Sequence, residues 1–176
     1  MQSGRKLLVL ILLFSLMTGC AAAGSNCTQD HSASTVDNTE QESNSVLVTL
    51  YEGNDAGTGL TASVTRLSEL TGAALTDALT AIGAIPARTQ CLHCSSGVME
   101  DGTVRLSLDL SVDFEEGVRV MGSAGETLIL ASLVNTFLEA FEADALELTI
   151  DGESLETNHN LYDSLFSAYT FPQAEA

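Results

Sequence analysis

From Thr103 to Leu110 the side chains alternate without a break: Val104, Leu106, Leu108 and Leu110 face one way, and Thr103, Arg105, Ser107 and Asp109 the other. Successive side chains of a strand point to opposite faces, so this segment has one apolar and one polar face. The apolar face must pack on a core, and the polar face meets water or a partner. Asp101-Gly102 supplies a tight hairpin turn, with Val98-Met99 as the incoming arm. The alternation returns at Ala145 to Ile150, where Leu146, Leu148 and Ile150 oppose Glu147 and Thr149, and Asp151-Gly152 turns the chain into Ser154-Leu155. Upstream, Val46 to Tyr51 and Leu60 to Leu67 read as two strands joined by the turn Gly53 to Gly57.

Helices supply the cover. Thr71 can cap a first helix, in which Ala74, Leu75, Ala78, Leu79 and Ile82 recur at helical spacing before Gly83 and Pro86 end it. A longer helix begins at Ser123, which forms a capping-box pattern with Glu126. Leu130, Val134, Phe137 and Phe141 line its buried side, with Leu133 and Leu138 broadening the stripe. Ala87 to Gly97 reads as a connection. Leu161, Leu165 and Tyr169 share one helical face. The order of elements gives a single α+β domain over residues 46–156, with two helices packed on one face of a mostly antiparallel or mixed sheet of four to five strands. Residues 157–176 form a C-terminal helical segment and a frayed tail.

The N-terminal part has a different composition. Arg5 and Lys6 precede an apolar run from Leu7 to Met17, the pattern of a signal peptide. As a helix this run would cover roughly 16 Å, about half of the hydrocarbon thickness of a bilayer. Met17-Thr18-Gly19-Cys20 resembles the lipobox of bacterial lipoproteins, which implies a signal over residues 1–19 and a lipidated Cys20 as the first mature residue. Residues 20–45 are rich in Ala, Ser, Thr, Asn, Gln and acids, and read as a disordered tether with a reach of roughly 25–30 Å. After cleavage, Arg66, Arg88, Arg105 and Arg119 are the only cations against 24 acidic residues, a formal charge of −20. Such a body is repelled by nucleic acid and by anionic head groups, so the lipid must hold it to the membrane, and protein partners should present basic surface.

From Leu50 to about Leu155 the chain resembles the GerMN domain of sporulation and spore germination proteins. The resemblance rests on Leu50-Tyr51, Val64-Thr65-Arg66, Leu75 to Ile82, Ile85-Pro86 and Asp101-Gly102-Thr103-Val104. It continues through Asp109-Leu110-Ser111 with Phe114, Asn135-Thr136-Phe137 and Leu148-Thr149-Ile150-Asp151-Gly152. It implies a non-enzymatic envelope protein, similar to modules that build rings by stacking sheet against helix between mother cell and forespore.

Cys91-Leu92-His93-Cys94 is the one motif with chemical reach, since a C-x-x-C pair can bind zinc, cycle between thiol and disulfide, or lock a turn. A zinc site needs four ligands, and only Cys27, His31 and His159 remain, none at fixed spacing. On a straight strand the two alpha carbons would stand about 10 Å apart, beyond the ~7 Å limit of a disulfide. A bond therefore requires a local turn, for which Ser95-Ser96-Gly97 has the composition. The preferred reading is a turn-locking disulfide or free thiols, with Cys27 left odd.

Asp109, Ser111, Asp113 and Glu115 imitate the start of a calcium loop, but Phe114 and Val120 stand where that loop requires Gly and Glu. They read as a strand end with a solvated acidic face. Gly122 and Gly125 read as turn residues. No catalytic motif is present in the sequence.

The function expected is a non-enzymatic lipoprotein on the extracytoplasmic face of the cell membrane, a scaffold or assembly component in sporulation or germination. Its partners are the bilayer through Cys20 and other envelope proteins, self-association included, with no small-molecule substrate and no cofactor beyond the covalent lipid. The open sheet face and an edge strand would dock, with Arg66, Arg105 and Arg119 as rim contacts. The alternative is an extracytoplasmic thiol-redox or metal-binding lipoprotein using Cys91 and Cys94.

Overall fold

The computed structural model describes residues 45–172. Its elements are β1 (Val46–Gly53), β2 (Leu60–Leu67), α1 (Gly72–Ala81), β3 (Cys91–Val98), β4 (Val104–Leu110), α2 (Val112–Arg119), α3 (Ser123–Ala140), β5 (Ala145–Ile150), β6 (Glu153–Glu156) and β7 (Leu161–Tyr162). β1 and β2 pair as an antiparallel hairpin, and the rest form a five-stranded sheet in the order β3-β4-β5-β6-β7. In that sheet β4 and β5 run parallel and every other pair antiparallel. The α+β class with a mixed sheet holds, but the hairpin stands apart as its own sheet.

The core explains this separation. In α3, Leu130, Ala131, Ser132, Leu133 and Val134 are five consecutive residues with no exposed surface. At 100° per residue they cover the whole circumference, so α3 is enclosed on all sides rather than laid on one face of a sheet. The hairpin contributes Val48 and Leu50 to the core, α1 Leu75 and Leu79, α2 Phe114 and Val118, and the large sheet Leu106, Leu108, Leu110, Leu146, Leu148 and Ile150. Each such side chain removed from water stabilises the fold by about 1.5–3 kcal/mol. Thr136, buried in α3, accepts a 3.0 Å hydrogen bond from the Tyr51 N–H and so satisfies a main-chain donor that β2 does not reach.

Four sequence expectations are corrected. The stretch Ala87 to Gly97 is not merely a connection: it holds most of β3, an edge strand whose Cys, His and Ser residues lack apolar alternation but which β4 templates from one side. The acidic run after Leu110 is helix α2 rather than a strand end; Asp113 and Glu115 in its first turn and Arg119 in its last complement the helix dipole. Ser123 does not build a capping box. The N-cap is Gly122, without a side-chain cap bond, and Glu126 turns instead toward the C-terminal segment. Residues 157–172 are not helical: β7 is followed by an isolated bridge of Phe166 to Leu146. Thr157, Asn160 and Asp163 bond to local groups there, which competes with helix formation. Cys20, Cys27, His31, the signal and nearly all of the tether, and the last four residues lie outside the described residues.

Candidate functional site

Most polar side chains on the large sheet bond to one another, although Arg105 Nε is buried without a partner among the described residues. Arg105 forms an ion pair with Glu147, which also accepts from the Ser107 hydroxyl at 3.0 Å. Asp109 accepts from the Thr149 hydroxyl at 2.6 Å and from the Gly152 N–H at 2.9 Å. Asp113 pairs with Arg88 at 3.0 Å, and Glu115 with Arg119 at 3.0 Å. The carboxylates that imitate a calcium loop thus serve internal donors, and among the described residues no three His, Cys, Asp or Glu side chains converge on a metal position. Arg119 also donates to the Glu156 carbonyl at 2.9 Å and bridges the end of α2 to β6. Arg66 differs: it donates to the Ser45 hydroxyl at 2.8 Å and forms no ion pair among the described residues. The three arginines lie on separate elements and do not converge.

The geometry that suits docking is on the other sheet. Tyr51 directs its N–H away from β2 to Thr136. Main-chain groups of an antiparallel strand alternate in direction, so those of Thr49 and Leu47 also face the edge of β1 that carries no partner strand among the described residues. Along that edge runs an open groove of about 500 Å³, lined by Val46 to Thr49, Leu70 and residues 139–142 at the end of α3. Its lining is about evenly polar and apolar, and Leu47 is 61% exposed. Its rim is acidic. Hydrogen bonds from Thr49 and Tyr51 hold the Glu139 carboxyl below its ordinary range against an opposing effect of burial, the Tyr51 hydroxyl lying at 2.6 Å. Glu142 stands at φ 50°, a left-handed position after the helix where Gly is usual. No basic residue occupies the last turn of α3, so the negative end of its dipole adds to both carboxylates.

Sequence reasoning did not single out this groove, because neither Glu139 nor Glu142 falls within a motif. The two available signals were a helix ending in acids instead of bases and a Glu where a C-terminal Gly is expected.

Cys91 and Cys94 are brought together. A β-bulge between Cys91 and His93 places Leu92 outside the regular register, so Cys91 pairs with Leu110 and Cys94 with Leu108. Both cysteines therefore share the inner face, two rungs apart, and pack against the core. They are half-buried free thiols. Burial pushes the Cys94 thiol up to about 11, aided by Cys91, and burial also raises Cys91, with Asp109 and Asp77 adding to it. Ser95-Ser96-Gly97, expected to turn, continue the strand.

No curated protein matches the chain. The tandem GerMN domains of the sporulation protein GerM from Bacillus subtilis are similar at 17% identity and a TM-score of 0.47, over 70% of this chain and 46% of that one. This chain thus spans about half of the tandem structure. The first GerMN domain of the same protein gives 20% identity and a TM-score of 0.44, over 66% of this chain and 92% of that one. The model of the Germane family, described as sporulation and spore germination, matches residues 30–156. That match covers well over half of the chain, and the protein belongs to the Germane family.

Proposed function

We propose that this chain is a non-enzymatic, lipid-anchored docking component of the envelope in sporulation or germination. Cys20 carries the lipid, and the GerMN domain receives an extended segment of another envelope protein along the edge of β1 at Leu47 and Thr49. The observation that carries this reading is the groove beside Leu47 and Thr49. It combines main-chain groups without a partner strand among the described residues, the apolar side chains of Leu47, Leu70 and Phe141, and the acidic rim of Glu139 and Glu142. Main-chain hydrogen bonds give such a strand addition its affinity, and side-chain pockets and charges its specificity. The rim selects a segment bearing Lys or Arg, which agrees with the −18 formal charge of the whole chain. Confinement to a surface by the lipid raises the effective concentration of a weakly binding domain.

The test is photo-crosslinking in intact cells with a reactive residue at position 47 of the full chain. The reading expects one envelope partner joined through a basic segment, lost in the Glu139→Lys/Glu142→Lys double variant and reduced in Cys20→Ala. Crosslinking that ignores the charge reversal, or that occurs equally from position 107 on the large sheet, overturns it.

A further inference from the structure

The bulge in β3 changes what its cysteine pair can do. Cys91 and Cys94 are separated in sequence by two residues, but they oppose Leu110 and Leu108, which are neighbours on one face of β4. Two rungs of a strand span about 6.7 Å, within reach of the Cα separation that disulfides tolerate. Both sulfurs also lie close to one common point. A β-carbon built on Gly72, the first residue of α1, would lie 2.8 Å from the Cys91 sulfur and 3.0 Å from the Cys94 sulfur. The two sulfurs can therefore be no further apart than those two distances end to end. The same position would be 2.4 Å from the Cys94 β-carbon, so only Gly leaves room for the pair beneath α1.

We infer that Cys91 and Cys94 form a disulfide across the β3 bulge, made in the exported protein and seated against Gly72. Export is part of the function proposed above, and the inference rests on it for the state in the cell. The bond forms by exchange with a small disulfide such as oxidised glutathione. One cysteine, as thiolate, attacks a glutathione sulfur, releases one glutathione thiolate and leaves a mixed disulfide. The second cysteine loses its proton to water and displaces the other glutathione. Two cysteine thiols are oxidised and one disulfide is reduced to two thiols. The raised thiol pKa values keep the thiolate fraction small at neutral pH, which suits a bond made once and kept rather than a cycling catalyst.

Trypsin isolates the pair, because cleavage after Arg88 and Arg105 leaves one peptide holding Cys91 and Cys94 and no other cysteine. The full chain, purified and equilibrated in a glutathione redox buffer, then acid-quenched, alkylated and digested, should yield this peptide about 2 Da lighter and unalkylated. Chain taken directly from cells should give the same mass. Cys91→Ser should replace the internal bond by a glutathione adduct on Cys94, and Gly72→Ala should lower the oxidised fraction several-fold. Thiols persisting in the oxidising buffer overturn the pairing. A disulfide in buffer with thiols in cells overturns the extracytoplasmic placement and leaves the pairing intact.

Discussion

Glu126 offers the sharpest single perturbation of this fold. The residue is 1% exposed, in the first turn of α3, and one carboxylate oxygen accepts from the Tyr162 hydroxyl at 2.6 Å and the Thr157 hydroxyl at 2.9 Å. The other oxygen is buried without a partner. This one side chain therefore ties the segment after β6 to the central helix. Hydrogen bonds to a charged group contribute about 1.5–3 kcal/mol each, offset in part by the cost of burying the carboxylate. Glu126→Ala should then cost about 2–4 kcal/mol, most of it in release of the segment after β6. Because 1.4 kcal/mol is tenfold, amide hydrogen exchange of residues 157–166 should accelerate roughly 30- to 1000-fold, while β4 and β5 change far less. Glu126→Gln keeps the shape with a neutral acceptor and should show about half of the loss.

The pH dependence supplies a second axis. Burial pushes the Glu126 carboxyl up, but its bonds to Tyr162, Thr157 and Asn160, with the His159 charge, outweigh burial and hold it below 4.5. A carboxyl lower in the folded state stabilises it fully above 4.5, and that contribution disappears as pH falls through the folded value. The tie should therefore weaken below pH 4.5 in the natural protein and not in Glu126→Gln. Unchanged exchange in Glu126→Ala, or equal acceleration throughout the domain, refutes the reasoning.

Other perturbations probe separate parts. A β-carbon on Gly117 would lie 2.3 and 2.5 Å from the Pro86 ring, so Gly117→Ala should lower thermal stability by about 1–3 kcal/mol through overpacking between α2 and the loop after α1. Phe137→Ala, buried in the last turn of α3, should cost about 3–5 kcal/mol in denaturant unfolding. Tyr162 is pushed up to about 12, by burial first and then by Glu126, so its phenol should ionise well above a free tyrosine in ultraviolet titration. Since the unfolded chain then loses that proton first, stability should fall as pH rises from 10 toward 12.

How far the sequence could be read depended on which physical signal each segment carries. β4 and β5 were legible because one face of each is buried and the other is not, and alternation records that directly. Thr71 was legible as a cap because its hydroxyl does accept from the Ala74 N–H, at 3.1 Å. Asp151-Gly152 was legible because both residues need positive φ, at 50° and 83°. β3 was not, since an edge strand that presents Cys, His and Ser owes its conformation to β4 rather than to its own pattern. The Ser123–Glu126 spacing misled for a related reason: three donors from the C-terminal segment compete for the same carboxylate and win. At the cysteine pair the residues were legible and the distance was not, because a bulge leaves no mark in the sequence and moves the partners from about 10 Å to two rungs. The groove beside β1 needed the fold itself, as its floor and rim come from segments some 90 residues apart.

The central claim is strand addition to β1, and residue-resolved amide exchange on the full chain tests it most directly. The Leu47 and Thr49 amides face the open edge, whereas Val48 and Leu50 face β2. On addition of the basic segment captured at position 47, the account predicts new protection at Leu47 and Thr49 with Val48 and Leu50 unchanged. Protection confined to the large sheet or to β2, or none at Leu47 and Thr49 despite binding, would contradict it.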